Sequence, residues 1–437
     1  MQVKSNSKNS LDLQQIDKKL VWHPFTPLEG ADEPLLIQSA EGIYLNTPDG
    51  RKIIDAISSW WVNLHGHSNP VIADAIFEQA RKLEHVIFAG FTHEPAIQLS
   101  QNLISILPEN QRKIFFSDNG STAVEVGLKM AMQYWHNQGI TRKTIIALED
   151  AYHGDTFGSM SVGGRSLFTS AFSSYLFDVE FIPCPIKGNE QEALNKFKEL
   201  VKRDTAAAFI FEPLVQAAGG MKMYDAAILD ELIEIAHSHD VVCIADEVFT
   251  GFGRTGKLFA SDYLSHKPDI IALSKGITGG TLPLGVTSCA EKIVKAFETN
   301  DFQKTFFHGH SYTANPITCA AANASFSLLV KPSCIAAINM IERQHKKFKT
   351  QLTGYKGIKD VRVQGTILTI ELHHQEGTSY TNPLRKKIYP FFLERNILLR
   401  PLGNVLYVMP PYVITEQELE LIYHSIEEFI NMMEATV

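Results

Sequence analysis

Short apolar runs alternate with helix-like segments through the middle of this chain, and few architectures accommodate that rhythm. RKIFFSDNG leads into STAVEVGLKMAMQYWHNQG, and KTIIALED, VEFIPCP, AAAFIFEPLV, VVCIADEV, DIIALSKG and LPLGVTSCA follow. Stretches such as DAAILDELIEIAHSHD lie between them. The runs are too short and too uniformly apolar to show polar alternation, as expected of strands covered on both faces. The pattern predicts an α/β chain: an open, mostly parallel central sheet with helices on both faces.

The flanks read differently. LLIQSAEGIYLNTPDGRKIIDAI predicts a β-meander with a turn at Asp49 and Gly50. PVIADAIFEQARKLEHV, from Pro70, has the recurrence of an amphipathic helix. The first 20 residues are polar without steady periodicity and are expected to be loosely ordered. From about residue 335, helix-like IAAINMIERQHKKFKTQL, PLRKKIYPFFLER and EQELELIYHSIEEFINMM alternate with the runs VRVQGTILTIELH and ILLRPLGNVLYVMPP. That texture predicts a smaller α+β unit. The expected division is 1–62 as a segment serving the small domain and the active site, 63–334 as the large domain, and 335–437 as the small domain. With 437 residues and 45% hydrophobic composition, the chain has material for more than one such unit.

Several partner classes are excluded at this stage. A formal net charge of −8, without a Lys/Arg-dense arm, argues against nucleic acid. No run approaches the roughly 18 apolar residues of a membrane span. MQVKSNSKNS lacks a signal-peptide apolar segment, so the expected location is the cytoplasm. Cys184, Cys243, Cys289, Cys319 and Cys334 show no C-x-x-C spacing and read as reduced packing residues.

Lys275 stands just beyond the run Ile270–Leu273 and before a Gly-rich turn, 29 residues after Asp246, which closes VVCIAD. Alone, a lysine at a strand end is ordinarily a solvated surface residue. Beside an aspartate on a neighbouring strand, it is placed to hold a carbonyl compound as a Schiff base while the aspartate faces a pyridinium nitrogen. Those are two contacts that pyridoxal phosphate requires. Gly120 and Ser121 open a helix directly after FFSDN, where backbone N–H groups can hold a phosphate, although an ordinary N-cap looks the same. No P-loop is present. Tyr152 follows the run TIIALE and can stack on a planar ring, with Asp155 ordering its loop. Glu212 closes AAAFIFEP, and a buried acid there needs a hydrogen-bond partner. Arg254, in TGFGRTG, either pairs with such an acid or shapes a dimer contact. FFHGHSYTANP carries His308 and His310 without a third ligand at zinc spacing, so a loop that completes a phosphate site fits better than a metal. Trp60 and Trp61 must pack or line a pocket, and Arg400 can pair bidentately with a substrate carboxylate.

DEVFTGFGRTG with LSKGITGG makes the chain resemble the fold-type-I, class III (ω-) aminotransferases from VWHPFTP to LLRPLGNVLYVMPPY. WHPFTP, the Trp60-Trp61 pair, AYHGDTFGSMSVG, EPLVQAAGGM, HGHSYTANP and RPLGNVLYVMPPY resemble its branch in biotin biosynthesis. The resemblance implies a pyridoxal-phosphate enzyme that aminates a long keto acid, 8-amino-7-oxononanoate, with S-adenosylmethionine as amino donor. It implies Lys275 as the Schiff-base lysine and proton shuttle, Asp246 on the pyridine nitrogen, and Tyr152 beside the ring. Gly120 and Ser121 would hold the phosphate with His310 and Ser311, Ser311 coming from the other subunit of a homodimer whose active sites lie at the interface. Phe25, Trp60, Trp61, Tyr152, Gly309 and Arg400 would line the substrate site, supported by Asp155, Glu212, Arg254 and Tyr407. The small domain would draw on both chain termini.

Two departures bear on the donor. Phe25 stands where many adenosylmethionine-using members carry tyrosine, and Ser311 where many carry threonine. HGHSYT also resembles the branch that takes nitrogen from lysine. Amination with lysine, another ω-aminotransferase activity, and a non-catalytic scaffold of the same fold are the alternatives.

Overall fold

The computed structural model describes residues 10–435. Its first element corrects the loose order expected of the N-terminus: Ser10–Leu20 is a helix. Asp12 in its first turn and Lys18 and Lys19 in its last complement the helix dipole. Residues 1–9 lie outside the described residues.

The meander forms as expected from β1 (Ser39–Glu41), β2 (Tyr44–Asn46) and β3 (Lys52–Asp55), paired antiparallel in that order. The alternating runs become β4 (Gln111–Ser117), β5 (Thr144–Leu148), β6 (Glu180–Ile182) and β7 (Ala206–Phe211). A small hairpin, β8 (Val215–Gln216) and β9 (Lys222–Met223), precedes β10 (Val242–Asp246), β11 (Ile270–Leu273) and β12 (Gly285–Ala290). The central sheet has seven strands in the order β4-β12-β11-β10-β7-β5-β6. All the pairings from β11 to β6 are parallel, and β12 runs antiparallel to both its neighbours. Every residue of β7, β10 and β11 is buried. Along β10, Cys243 and Ala245 join one apolar layer while Val242 and Ile244 join the other. Helix 120–137 supplies Val124, Leu128 and Trp135 to the second layer, and helices 190–201 and 226–238 supply Phe197 and Leu229 to the first.

Toward the C-terminus, the run VRVQGTILTIELH folds as a hairpin, β13 (Ile358–Gln364) and β14 (Ile367–Leu372). Gly365 turns it with φ 56°, and a Cβ there would lie 2.2 Å from the Gly256 nitrogen, so only glycine fits. After β15 (Ile397–Leu398), β16 (Val405–Val408) completes this sheet beside β14. β15 leaves it and pairs in parallel with β3, tying the C-terminal portion to the N-terminal meander. Among the described residues no single helix is long and apolar enough to cross a membrane.

Candidate active site

Parallel pairing sends β5, β7, β10 and β11 in one direction, and two antiparallel steps return β4 to it. The residues that follow their C-terminal ends therefore gather on one edge, where open α/β sheets bind ligands. Asn119, Gly120, Ser121, Tyr152, Glu212, Asp246 and Lys275 line one cavity there of about 700 Å³.

Lys275 is half-buried and opens a tight turn, Lys275–Thr278, with its own φ at 43°. A side chain in that left-handed region is strained and needs its surroundings to hold it. Gly280 follows at φ 86°, and a Cβ on it would come within 2.7 Å of the Val62 carbonyl carbon. Lys275 Nζ lies 4.6 Å from the Trp61 ring centre and 5.4 Å from that of Phe249. Burial among these rings lowers the amine to about 8, against the upward pull of Asp246 and Glu212, and Arg254 adds to the lowering.

Asp246 is held from two sides. Its Oδ1 accepts the Val248 N–H at 3.0 Å, and its Oδ2 lies 2.7 Å from His153 Nδ1. Glu212 behind it accepts the N–H groups of Tyr152 and Ala217, each at 3.0 Å. Burial raises Glu212 to about 7; His153 opposes that shift and the Asp246 charge adds to it. The Tyr152 hydroxyl donates to Asp155 Oδ2 at 2.8 Å, and burial first, then Asp155, keeps that hydroxyl protonated.

The helix 120–137 opens with a capping box: Asn119 Oδ1 accepts the Thr122 N–H at 3.0 Å, and Thr122 Oγ1 accepts that of Asn119 at 2.9 Å. The N–H groups of Gly120 and Ser121 have no intrahelical acceptor, and both residues line the cavity. Gly154, at φ 125°, lies so close to Ser121 that a Cβ would fall 2.1 Å from its Oγ. A close-approach glycine, free helix-start donors, an apolar-walled amine and a hydrogen-bonded carboxylate suit a phosphorylated aromatic aldehyde. His153 Nε2, buried and without a partner, adds an unused polar atom to this wall. The residues present fit pyridoxal phosphate.

The proposed substrate residues come together through the β3–β15 pairing, in which Asp55 sits opposite Leu398. Trp60 follows the end of β3, Arg400 follows the end of β15, and the guanidinium stacks 4.8 Å from the Trp60 ring centre. Among the described residues Arg400 makes no ion pair. Phe25 packs on Trp60 at 5.5 Å and edge-on to Phe168 at 5.7 Å; Phe168 meets Tyr152 and, at 4.8 Å, Tyr380. Trp61 donates its indole N–H to the Tyr407 hydroxyl at 3.0 Å. A second cavity of about 720 Å³ lies beyond Phe168 and Tyr380 and shares Tyr152, His153, Gly154 and Asp155 with the first.

Arg254 corrects one expectation. It is buried and pairs with no acid among the described residues; it donates to the carbonyls of Asn63 at 2.9 Å, Pro410 at 3.1 Å and Trp61 at 3.4 Å. Irregular backbone around the tryptophan pair leaves carbonyls unsatisfied, and a guanidinium with several donors answers them at once. Gly309, His310 and Ser311 do not line the cavity of their own chain. They occupy a loop where Gly309 and Ser311 are exposed and His310 lies 3.1 Å from His308 and 3.6 Å from Asp118. His153 was expected from the sequence to order the loop after β5; its contact with Asp246 is what the sequence did not show. Phe168 also lines this region and carries no sequence signal beyond being aromatic. His237, Cys243 and Asp269 cluster elsewhere, and Lys292, 2.7 Å from Asp269, already neutralises that carboxylate.

The family model for class-III aminotransferases matches residues 28–430. The chain is 47% identical to the adenosylmethionine-8-amino-7-oxononanoate aminotransferase of Synechococcus elongatus over 94% of this chain and 98% of that protein. It is 37% identical to the enzyme so named from Geobacter sulfurreducens, over 96% and 97%. The crystal structure of the Methanocaldococcus jannaschii protein of that name superposes with a TM-score of 0.91 at 35% identity, covering 96% of this chain and 99% of that one. An amine transaminase from an uncultivated Pseudomonas species, solved with pyridoxal phosphate bound, is 29% identical with a TM-score of 0.87, covering 93% and 97%. With the amine, the carboxylate and the open helix start on one sheet edge, the chain belongs to the class-III aminotransferases and is a pyridoxal-phosphate-dependent transaminase.

Proposed function

We propose that this enzyme moves an amino group from S-adenosylmethionine to 8-amino-7-oxononanoate, forming 7,8-diaminononanoate for biotin biosynthesis in the cytoplasm. The observation that carries the reading is Arg400, a guanidinium stacked on Trp60 and free of any acid among the described residues. It suits the carboxylate of a long acid whose ketone reaches Lys275. The 47% identity to the Synechococcus elongatus enzyme supports the same substrate.

Pyridoxal phosphate, when bound, supplies a ring that takes up the electron pair left when the donor's Cα–H bond breaks. Lys275 Nζ, as a neutral base, would remove that proton from the donor Cα. One water would be taken up as the donor leaves in its keto form. In the second half that water would be returned as the oxononanoate ketone gains the nitrogen, and the same amine would give its carbon the proton. Asp246 would keep a proton on the ring nitrogen, with His153 fixing the carboxylate's direction. Tyr152 would lie beside the ring, and the N–H groups of Gly120 and Ser121 would hold the phosphate.

The enzyme acts as a homodimer in this reading, with Gly309, His310 and Ser311 reaching the partner subunit's cavity. The exposed side chains of Phe307 and Tyr312 on that loop support a buried contact there. Phe25, which brings an aromatic face and no hydroxyl, favours lysine as the alternative donor. Single-turnover reactions with each donor separately, followed by visible absorbance, test the proposal. Turnover by adenosylmethionine is expected, and conversion by lysine alone would replace that donor. Failure of the oxononanoate to restore the starting spectrum would reject the substrate.

A further inference from the structure

The two adjacent indoles point to different tasks because the backbone between them is strained. Ser58, Ser59 and Trp61 have φ values of 54°, 61° and 68°. Each is in the left-handed region, which residues with side chains enter at a cost, and three within four positions persist only if neighbours hold them. The segment is therefore a held turn rather than a helix, with Ser59 at ψ −81° and Trp60 at φ −133°.

Asp55 is the holding group. Fully buried at the end of β3, it accepts the Ile57 N–H at 3.3 Å on Oδ1 and the Ser59 hydroxyl at 2.9 Å on Oδ2. His67 Nε2 lies 2.9 Å from the same Oδ2, and Asn63 lies 3.3 Å from the other ring nitrogen. From the opposite side the Ser58 hydroxyl donates to the Met409 carbonyl at 2.9 Å, and the Met409 N–H donates to the Ala56 carbonyl at 2.8 Å. Asp55 is not part of the lining of either cavity. Its contacts go to the turn and to His67, and a buried carboxylate with this many donors has a fixed direction.

We propose that Asp55, backed by His67, is a positioning residue for the substrate site: it holds the Ser58–Trp61 turn left-handed, sending Trp61 under Lys275 and Trp60 against Arg400. The turn then sets the distance between the end that holds the acid and the end that reacts. The inference rests on the substrate reading given above.

The test uses Ser59→Ala and Asp55→Asn in the enzyme loaded with pyridoxal phosphate. Each should raise KM for the oxononanoate about tenfold with kcat within about twofold, the loss expected when one charge-assisted hydrogen bond sets an orientation. The near-ultraviolet circular dichroism of the tryptophans should change in both, with or without cofactor. Lowered melting temperature with unchanged KM and an unchanged spectrum would overturn the proposal. Should Asp55→Asn fail to fold, Ser59→Ala decides, because its half-buried hydroxyl is one of several donors to Asp55. If the unaltered enzyme does not turn over the oxononanoate, the substrate reading fails, and the spectra still decide whether Asp55 holds the turn.

Discussion

His153 Nδ1 lies 2.7 Å from Asp246 Oδ2, and both side chains are buried. A carboxylate only accepts, so Nδ1 carries the proton of this contact, while the buried Nε2 has no partner among the described residues. The pair bridges three strands: His153 follows β5, Asp246 ends β10, and β7, followed by Glu212, runs between them. Asp246 is thus aimed by a histidine two strands away.

Removing that donor should loosen the cofactor. His153→Ala leaves Asp246 Oδ2 without its partner, and the affinity for pyridoxal phosphate should fall about 10- to 100-fold, as for loss of a hydrogen bond to a charged group. Spectrophotometric titration of cofactor-free enzyme measures it, and unchanged affinity together with unchanged turnover would show that Asp246 needs no help.

Lys275→Ala should still bind the cofactor but transfer amino groups at least about 10²-fold more slowly, the lower range for a lost general base. Stopped-flow absorbance in a single turnover is the measurement. A near-normal rate would mean that another group moves the proton.

The lowered value of Lys275, about 8 against an ordinary 10.5, gives cofactor-free enzyme a defined pH response. The rate at which its amine captures an aldehyde should rise about tenfold per pH unit below 8 and level off above it, because only the neutral amine is nucleophilic. The stability effect has the same origin. Between about 8 and 10.5 the unfolded lysine holds a proton that the folded one has released, so stability contributed by this group rises with pH across that window. Denaturant titrations of the cofactor-free enzyme and of Lys275→Met at pH 7.5 and pH 10 should differ in that direction, and parallel curves would contradict it.

Gly154→Ala should damage the phosphate turn. The new methyl would sit 2.1 Å from Ser121 Oγ and 3.0 Å from its Cα, on a backbone at φ 125°. Overpacking of this kind costs about 1–3 kcal/mol, and the displaced Ser121 should also weaken cofactor phosphate binding. Melting temperature and cofactor affinity should fall together. An unaffected affinity would place the phosphate elsewhere.

Arg400→Met should raise KM for the oxononanoate about 10- to 100-fold while kcat stays within a few-fold, since the guanidinium holds the acid and not the reacting carbon. Arg400→Lys should recover little, because an ammonium has neither the planar fork nor the same stacking on Trp60. Equal losses of kcat in both variants would argue that Arg400 acts on the chemical step.

Several features were legible in the residue order because they depend on near neighbours. Alternating apolar runs implied buried parallel strands, and Asp246 and Lys275 at the ends of two such runs implied a shared edge. The N-terminal helix gives little signal because its apolar residues, Leu11, Leu13, Ile16 and Leu20, are few and set no steady period. Strand order, however, is a matter of long-range packing. The insertion of β12 between β4 and β11 and of β7 between β5 and β10 decides which strand ends adjoin. Arg254 illustrates the limit: its motif left an acid partner or a dimer contact open, but within the folded chain the turn offered unsatisfied carbonyls, and the guanidinium donates to those. Local periodicity thus determined the class of fold and the placement of Lys275 just beyond a buried strand. Only the tertiary structure decided that His153 aims Asp246 across 93 residues of chain, and that Trp60 and Arg400 meet, because those contacts exist only once β3 and β15 have paired and the sheet has packed.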